Sequence, residues 1–346
     1  MTEIRLFTTI PPAGREGGDY RQVVRRAARL SEAVGFVGAL VYSDNNTVDP
    51  WAVAQEVLVA TDALMPLVAL QPVYQHPYTV AKTISSYGVL YGRRICLNLV
   101  AGGSRSDLAA LDDFTKHDER YVRLTEYAQL VGKLLAGRGP VTHDGDHYRV
   151  QGLNLHPGLP EHLAPELFMS GSSPAGRRAA EVLGALPVRY PEPPGPDGRD
   201  LLGDAVRIGV IARDTDEEAW QAAHDRFPNT RAGRMLQRMA RDASDSQWVE
   251  RLSEAEEFPG GPDSPYWMGP FKNYTTFCPY LVGNHDKVAT ELTRYFDQGC
   301  HTFILDTSRD EADYADAAAV FAHAQRRRGQ PTPVTAGTGV AAGFAR

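Results

Sequence analysis

The amino-acid sequence predicts an α/β protein built as one eight-stranded parallel barrel, a (β/α)8 or TIM barrel with insertions. The length of 346 residues suits a single barrel of this kind. Short apolar runs typical of buried strands alternate along the chain with segments of helical periodicity. Eight strand candidates can be counted, and eight close a barrel, whereas six would leave a doubly wound open sheet.

The first half of the chain contains four strand-and-helix units joined by short connections. Asp49 precedes Pro50, which predicts a helix start, because aspartate is a good N-cap and proline suits the first helical position. Such repeated units imply a parallel sheet with helices outside it. The predicted strands cover residues 4–10, 36–42, 66–70 and 94–100, and the predicted helices cover 20–34, 50–61, 77–90 and 117–136.

The second half continues the alternation and adds two stretches that depart from it. Residues 141–155 carry Asp144–Gly145 between extended segments, which predicts a hairpin. Residues 228–283 are too long for an ordinary connection, so we predict an insertion there that could form a mobile lid. The predicted strands are 167–170, 186–190, 206–212 and 302–306, and the predicted helices are 175–182, 217–227, 287–298 and 311–327.

The domain organisation follows from these elements. Residues 1–328 form one predicted barrel domain that contains the insertion at about 228–283. Residues 329–346 are rich in threonine, alanine, glycine and proline. Chain ends of such composition seldom pack tightly, so we predict a flexible tail there.

Charge and cysteine content argue against several kinds of partner. The formal net charge of −7 disfavours nucleic acid and anionic lipid, which both attract basic surfaces. The three cysteines are odd in number and widely spaced, which argues against a disulfide framework or a zinc site. Neither a signal peptide nor an apolar run of membrane-spanning length is visible. We therefore expect a cytoplasmic protein without nucleic-acid or membrane partners.

Residues at the carboxyl ends of the predicted strands are candidates for an active site, because barrel enzymes place it there. This rule selects Asn98, residues 170–173 and Arg207. In the run Ser-Gly-Ser-Ser-Pro a strand ends, a glycine allows close backbone approach and a helix begins. Free backbone N–H groups, hydroxyls and the positive helix end could bind a phosphate there. Alternatively, Ser172 or Ser173 could simply cap the helix.

The start of the fourth predicted helix carries further candidates. His117 lies where a loop faces the barrel mouth, and it could serve a function or be a surface or capping residue. Tyr121 could pack in the helix layer or hydrogen-bond a phosphate. The sequence has no Walker A motif, no dinucleotide fingerprint, no Gly-x-Ser-x-Gly elbow and no paired metal-ligand spacing. It therefore supports neither NAD binding nor metal catalysis.

Three runs in the sequence carry a resemblance to a known family. They are Leu-Asn-Leu-Val-Ala-Gly at 97–102, His-Asp-Glu-Arg-Tyr at 117–121 and Leu-Phe-Met-Ser-Gly-Ser-Ser at 167–173. With these runs the chain resembles the bacterial luciferase-like flavin monooxygenase superfamily, and most of all its alkanesulfonate monooxygenase branch. The resemblance extends from residue 4 to about residue 322. It implies a (β/α)8 barrel that binds FMN at its C-terminal mouth.

The resemblance assigns a cofactor site residue by residue. It implies that Asn98 and Val100 lie beside the flavin, and that His117 and Tyr121 reach the FMN phosphate or ribityl chain. The Leu70–Gln71 region would form the bend under the isoalloxazine ring, where the family often has an unusual, sometimes cis, peptide bond. The implied phosphate cradle consists of Ser170, Gly171, Ser172 and Ser173.

The resemblance also supplies catalytic candidates, which are Arg207, Thr47 and Tyr190. Arg207 corresponds to an arginine near the flavin and the substrate oxyanion, although it could instead pair with a barrel carboxylate. Thr47 stands where the sulfonate branch has a cysteine, Tyr190 where it has a tryptophan, and Gly209 where it has a histidine. These changes leave the flavin residues intact and place the sulfonate substrate in doubt.

We therefore expect an FMNH2-dependent monooxygenase that uses O2 to oxidise a small organic substrate, such as a sulfonate or an intermediate of secondary metabolism. A separate flavin reductase would supply the reduced FMN, because the chain has no NAD-binding signature. Two alternatives share the fold: an F420-dependent hydride-transfer oxidoreductase and a non-catalytic flavin-binding protein. The expected assembly is a homodimer or homotetramer.

Overall fold

A computed structural model describes most of the chain. The described residues are 3–13, 18–191, 203–233, 235–236, 264–273 and 275–328. The predicted tail at 329–346 and the centre of the predicted insertion, residues 237–263, lie outside them. Within the described residues, no helix is long and apolar enough to cross a membrane.

The described strands form one large sheet and one hairpin. In chain order they are β1 (Arg5–Thr9), β2 (Gly38–Val41), β3 (Met65–Leu70), β4 (Cys96–Val100), β5 (Val141–Asp144), β6 (Arg149–Leu153), β7 (Leu167–Ser170), β8 (Leu186–Arg189), β9 (Ala205–Arg213), β10 (Tyr266–Trp267), β11 (Tyr280–Asn284) and β12 (Thr302–Leu305). Eight of them, β1–β4, β7–β9 and β12, pair in parallel as a closed circle. This confirms the predicted (β/α)8 barrel. The antiparallel pair β5 and β6 is the predicted hairpin.

Helices lie outside the barrel, and local sequence explains where several begin. The Asp49 carboxylate accepts from the backbone N–H groups of Trp51 at 2.9 Å and Ala52 at 3.1 Å, as its N-cap prediction requires. Thr215 and Glu218 form a reciprocal capping box. In chain order the helices are α1 (Tyr20–Ala33), α2 (Pro50–Ala60), α3 (Pro77–Tyr91), α4 (Arg105–Ala110), α5 (His117–Leu135), α6 (Pro174–Leu183), α7 (Asp216–Arg226), α8 (Gly269–Lys272), α9 (His285–Asp297) and α10 (Glu311–Arg328).

The end of the predicted insertion belongs to the sheet. There β11 pairs in parallel with β9 from Gly209 to Arg213, and β10 adds to β11 in antiparallel orientation. Along β9, the strand β8 pairs only with the first residues, Ala205 and Val206. Thus β11 extends the barrel wall beyond the point where β8 ends. The sequence analysis missed this strand because its apolar run is short and lies between Pro279 and Gly283.

Apolar side chains fill the interior of the barrel. Side chains alternate between the two faces of a strand, so every second residue points inward. The rings of Phe7 and Phe168 meet there edge to face, with centroids 5.4 Å apart. Intervening residues such as Leu97 and Met169 instead pack beneath the helices. This apolar layer consists of Phe7, Leu40, Leu67, Cys96, Phe168, Val188, Ala205 and Ile304.

Gly38 leaves space for the apolar layer. A Cβ at Gly38 would lie 2.4 Å from the Phe7 ring and 2.7 Å from the Met65 carbonyl oxygen. Both neighbours are held by the barrel, so Gly38→Ala must displace one of them. We expect this variant to lose about 1–3 kcal/mol in its free energy of unfolding, measured by urea denaturation.

Gly132 in α5 provides the matched control for Gly38. Apart from the backbone of its own helix, no atom lies within 4 Å of a Cβ built at Gly132. Glycine inside a helix costs about 0.5–1 kcal/mol relative to alanine. Gly132→Ala should therefore raise the free energy of unfolding slightly. Equal stability of Gly38→Ala and the wild type would contradict the close packing around Phe7.

Candidate active site at the barrel mouth

A polar layer lies directly above the apolar layer, at the C-terminal ends of the barrel strands. Each of its residues stands two positions after a member of the apolar layer and therefore shares its inward direction. Tyr42, for example, follows Leu40 in this way. The polar layer consists of Thr9, Tyr42, Asn98, Ser170, Tyr190, Arg207 and Asp306. The barrel thus changes from a packed core to polar groups where such enzymes carry out their chemistry.

Arg207 is a buried charge that no carboxylate pairs with among the described residues. The residue is 6% exposed. Its Nη2 donates to the Tyr42 hydroxyl, and its Nε donates to the Cys278 sulfur at 3.3 Å. The guanidinium carbon lies 4.8 Å from the centre of the Tyr42 ring and 5.7 Å from that of Tyr190, within cation–π range. The alternative of an ion pair inside the barrel is therefore not found here.

Burial keeps the neighbours of Arg207 uncharged. It raises the pKa of Tyr190 to about 12 and the pKa of Cys278 to about 12. It also raises the pKa of Tyr42 well above its ordinary value. Burial opposes the charge of Arg207 itself, but the surrounding groups, among them the Asp306 carboxylate, hold the Arg207 pKa well above its ordinary value. Arg207 is therefore a fixed cation among neutral phenols and a neutral thiol.

Asp306 is held by a tyrosine from outside the eight-stranded circle. Tyr280 of β11 is 1% exposed, and its hydroxyl donates to Asp306 Oδ2 at 2.8 Å. The Tyr280 ring packs against Gly209, where a Cβ would lie only 2.2 Å from a ring carbon. The resemblance to the sulfonate branch implies a histidine at this position. Because Tyr280 takes the space of that side chain, only glycine fits at residue 209.

The run at residues 170–173 connects the polar layer to the start of α6. Ser170 Oγ donates to Asn98 Oδ1 at 2.9 Å, so the ends of β4 and β7 are joined. Gly171 has a φ of +142°, and a Cβ there would lie 2.2 Å from the Tyr121 hydroxyl oxygen. Both the backbone conformation and the close approach of Tyr121 therefore require glycine.

The two serines that follow Gly171 have different surroundings. Ser173 caps α6 by accepting from the backbone N–H of Gly176 at 3.1 Å, and it also hydrogen-bonds the Tyr121 side chain. The Ser172 hydroxyl has no hydrogen-bond partner among the described residues. The capping alternative thus applies to Ser173, while Ser172 is available to a ligand.

The helix α5 brings His117 and Tyr121 to the same place. Their rings meet edge to face with centroids 5.3 Å apart, and His117 Nδ1 is 2.7 Å from Asp118 Oδ1. Tyr121 is 8% exposed, and its hydroxyl lies beside Gly171. The structure therefore assembles His117, Tyr121 and residues 170–173 into one group, and their role toward a phosphate remains a prediction.

The Leu70 side chain lies on the other side of the barrel wall from this group. Leu70 is one residue out of phase with the inward-facing Leu67, and it packs with the outer layer beneath the helices. With Leu97 and Leu99 it lines an apolar cavity of about 350 Å³ between α5 and the barrel wall. The Leu70 side chain therefore points away from the mouth, and the bend at residues 70–71 could meet a flavin only through its backbone, which remains a prediction.

Gln71, Val100 and Thr47 lie near the mouth but outside the polar layer. The Gln71 side-chain amide donates to the Ser43 carbonyl oxygen at 2.8 Å, and the peptide bond between residues 70 and 71 is trans. Val100 is half-buried at the end of β4. The hydrogen bonds of the Thr47 hydroxyl stay within its own loop, at Asp44. The structure therefore does not join Thr47 to Arg207.

Five residues of this site escaped the sequence analysis. Thr9, Tyr42 and Asp306 lie at or near the ends of predicted strands, and counting every second residue along those strands would have found them. Cys278 and Tyr280 offered no such signal, because they belong to a segment predicted as an insertion. Only the pairing of β11 with β9 brings them to Arg207 and Asp306.

Tyr190 makes stability depend on pH in alkaline solution. Its folded pKa is about 12, whereas a tyrosine in the unfolded chain ionises near pH 10. The stability it contributes is fully present below about pH 10 and is lost as the pH rises through about 12. Between about pH 8 and pH 11, the wild type should lose about 1 kcal/mol more stability than Tyr190→Phe. Identical losses in urea unfolding would mean that Tyr190 titrates as an exposed tyrosine does.

Comparison with known proteins identifies relatives of this chain. The family model described as luciferase-like monooxygenase matches residues 2–188. The Niallia circulans monooxygenase BtrO, named for a 4-(γ-L-glutamylamino)butanoyl group on the BtrI acyl-carrier protein, is 34% identical over 325 residues. The match covers 91% of this chain and 95% of BtrO.

Solved structures share the fold at lower identity. Riboflavin lyase RcaE, solved with modified FMN and riboflavin, has a TM-score of 0.72 at 16% identity and covers 94% of this chain and 92% of that one. An F420-dependent secondary alcohol dehydrogenase has a TM-score of 0.65 at 16% identity, covering 93% and 99%. These matches do not single out the alkanesulfonate branch, which remains a prediction. The chain belongs to the luciferase-like monooxygenase family, and it is a monooxygenase.

Proposed function

We propose that this chain uses reduced FMN, delivered by a separate flavin reductase, and O2 to oxygenate a small organic substrate at the barrel mouth. The observation that carries the proposal is the arrangement of two groups side by side. One is the start of α6 with the unpartnered Ser172 hydroxyl, and the other is the polar layer around Arg207. The first would hold the phosphate of FMN, and the second would meet the substrate.

The start of α6 fits a phosphate. A phosphate binds well where backbone N–H groups, hydroxyls and a helix N-terminus converge. Ser173 accepts from the N–H of Gly176, and the other N–H groups of the first turn have no partner within their own helix. Gly171 lets the backbone approach closely, and the Ser172 and Tyr121 hydroxyls stand beside it. These donors match the phosphate that distinguishes FMN from riboflavin.

In the proposed reaction the cofactor would activate O2, and the residues at the barrel mouth would stabilise charge on the substrate and exclude water. Reduced FMN, when bound, provides the electrons that activate O2. Arg207 would stabilise negative charge on the substrate, because a fixed cation in a water-poor site acts more strongly than in solution. Tyr42 orients the guanidinium through its hydroxyl, and Tyr190 flanks it with its ring. Both phenols remain neutral, so they exclude water without adding charge.

The similarity to BtrO supports a proposal about the class of substrate that this chain oxidises. BtrO is named for an acyl group that contains a γ-glutamyl amide and is carried by a protein. We propose that the present chain acts on an acyl chain of this kind rather than on a sulfonate. The departures at Thr47, Tyr190 and Gly209 from the sulfonate branch agree with a changed substrate.

An oxygenation assay tests the proposed function. The enzyme should convert a γ-glutamyl-4-aminobutanoyl thioester when it is given FMN, an NADH-dependent flavin reductase and O2. Mass spectrometry should find one added oxygen atom that derives from isotopically labelled O2. Reduced F420 in place of FMN should support no conversion. Substrate-dependent oxidation or reduction of F420, without oxygenation in the presence of FMN, would favour the hydride-transfer alternative.

Ser172→Asp should weaken FMN binding by at least about tenfold, because a carboxylate would lie against the phosphate. Ser172→Asn is the neutral control of the same size, and riboflavin is the ligand control because it has no phosphate. In titrations followed by flavin fluorescence, the aspartate variant should lose affinity for FMN and keep its affinity for riboflavin. Equal FMN affinities in the two variants would show that the phosphate binds elsewhere.

A further inference from the structure

Arg207 and Asp306 are opposite charges that lie close together without forming an ion pair. They are 6% and 7% exposed. Arg207 lies on β9 and is the register partner of Ile304 on β12, and Asp306 directly follows β12, where its backbone N–H donates to the Ile208 carbonyl oxygen at 3.0 Å. Asp306 contributes to the electrostatic environment that raises the Arg207 pKa. Yet each makes its hydrogen bonds with other side chains, so the cation and the anion are held apart.

Each of these two groups keeps one atom unused. Arg207 Nη1 and Asp306 Oδ1 have no hydrogen-bond partner among the described residues, and neither is an enclosed atom. An ion removed from water loses its hydration, which is unfavourable unless a counter-charge compensates it. A ligand that carries both a negative and a positive group would compensate both residues at once.

We propose that Arg207 and Asp306 together recognise an α-amino acid head group, with the carboxylate on Arg207 and the ammonium on Asp306. The inference rests on the proposed function, because a γ-glutamyl group ends in such a head. A chain attached by its other end to a carrier protein must enter the mouth with its free end first. The polar layer is the floor of the mouth, since the apolar layer fills the barrel beneath it. The head group therefore reaches Arg207 and Asp306.

The hydrogen bonds around the two charges orient them for this ligand. Tyr280 donates to Oδ2 of Asp306 and leaves Oδ1 to an ammonium. Tyr42 and Cys278 engage Nη2 and Nε of Arg207 and leave Nη1 to a carboxylate. A sulfonate would satisfy the arginine alone and leave the carboxylate of Asp306 without a counter-charge. The site therefore distinguishes a dipolar head group from a simple anion.

Binding to the FMN-loaded full-length protein tests this recognition by calorimetry. The parent ligand is γ-L-glutamyl-4-aminobutanoate. The glutaryl analogue lacks only the ammonium, and the 4-aminobutanoyl analogue lacks only the α-carboxylate. We expect the wild type to bind the parent at least about tenfold more tightly than either analogue, because each analogue leaves one buried charge unpaired.

Two variants should each abolish the preference for the parent over one of the analogues. Asp306→Asn should weaken binding of the parent by about tenfold or more and leave binding of the glutaryl analogue nearly unchanged. Arg207→Gln should weaken the parent similarly and leave the 4-aminobutanoyl analogue nearly unchanged. A general disturbance of the site would weaken all three ligands alike, and that result would overturn the inference.

Tyr280→Phe provides a milder variant in case Asp306→Asn does not fold. It removes the hydrogen bond to Asp306 and keeps the ring over Gly209. It should weaken the parent several-fold and spare the glutaryl analogue; an unchanged affinity for the parent would count against the inference. FMN affinity is measured in the same samples. Equal affinities of the wild type for all three ligands, with FMN bound normally, would overturn this recognition and leave the proposed function standing.

Discussion

The buried charge of Arg207 is the constraint on which the mouth of the barrel depends. A guanidinium taken out of water needs compensation, and inside this barrel it comes from two aromatic rings, a hydroxyl and a thiol rather than from a carboxylate among the described residues. Tyr42 follows β2, Tyr190 follows β8 and Cys278 precedes β11. Because these groups come from distant parts of the chain, the polar layer can form only when the barrel has closed.

The strand β11 supplies the tyrosine that holds the Asp306 carboxylate at the mouth. It extends the wall beside β9 and delivers Tyr280, which fills the space above Gly209 and binds Asp306. Three residues are thus coupled: a glycine on β9, a tyrosine on β11 and a carboxylate after β12. A side chain at residue 209 could not coexist with the Tyr280 ring, so a substitution at one position requires a change at another.

The two serines at the proposed cofactor end of the site have different contacts. Ser173 completes the first turn of α6, which fixes the helix start beside Tyr121. The hydroxyl of the adjacent Ser172 has no hydrogen-bond partner among the residues that the structure describes. Gly171 makes the arrangement possible, since any side chain there would meet the Tyr121 hydroxyl. The Ser170–Asn98 hydrogen bond joins this end to the polar layer, so the proposed cofactor and substrate sites would share one edge of the barrel.

The sequence by itself determined the barrel and most of its helix starts, because these depend on local periodicity and capping chemistry, which a linear pattern records directly. That residues 117–121 and 170–173 belong to one group was implied only by the family resemblance. Tertiary structure alone decided that Ser173 caps while Ser172 stays free, that the Leu70 side chain faces outward, and that Tyr280 binds Asp306. Such facts depend on strand register and on contacts across the barrel. A shift of one residue reverses the direction of a side chain, and no local pattern specifies which distant strand will lie beside it.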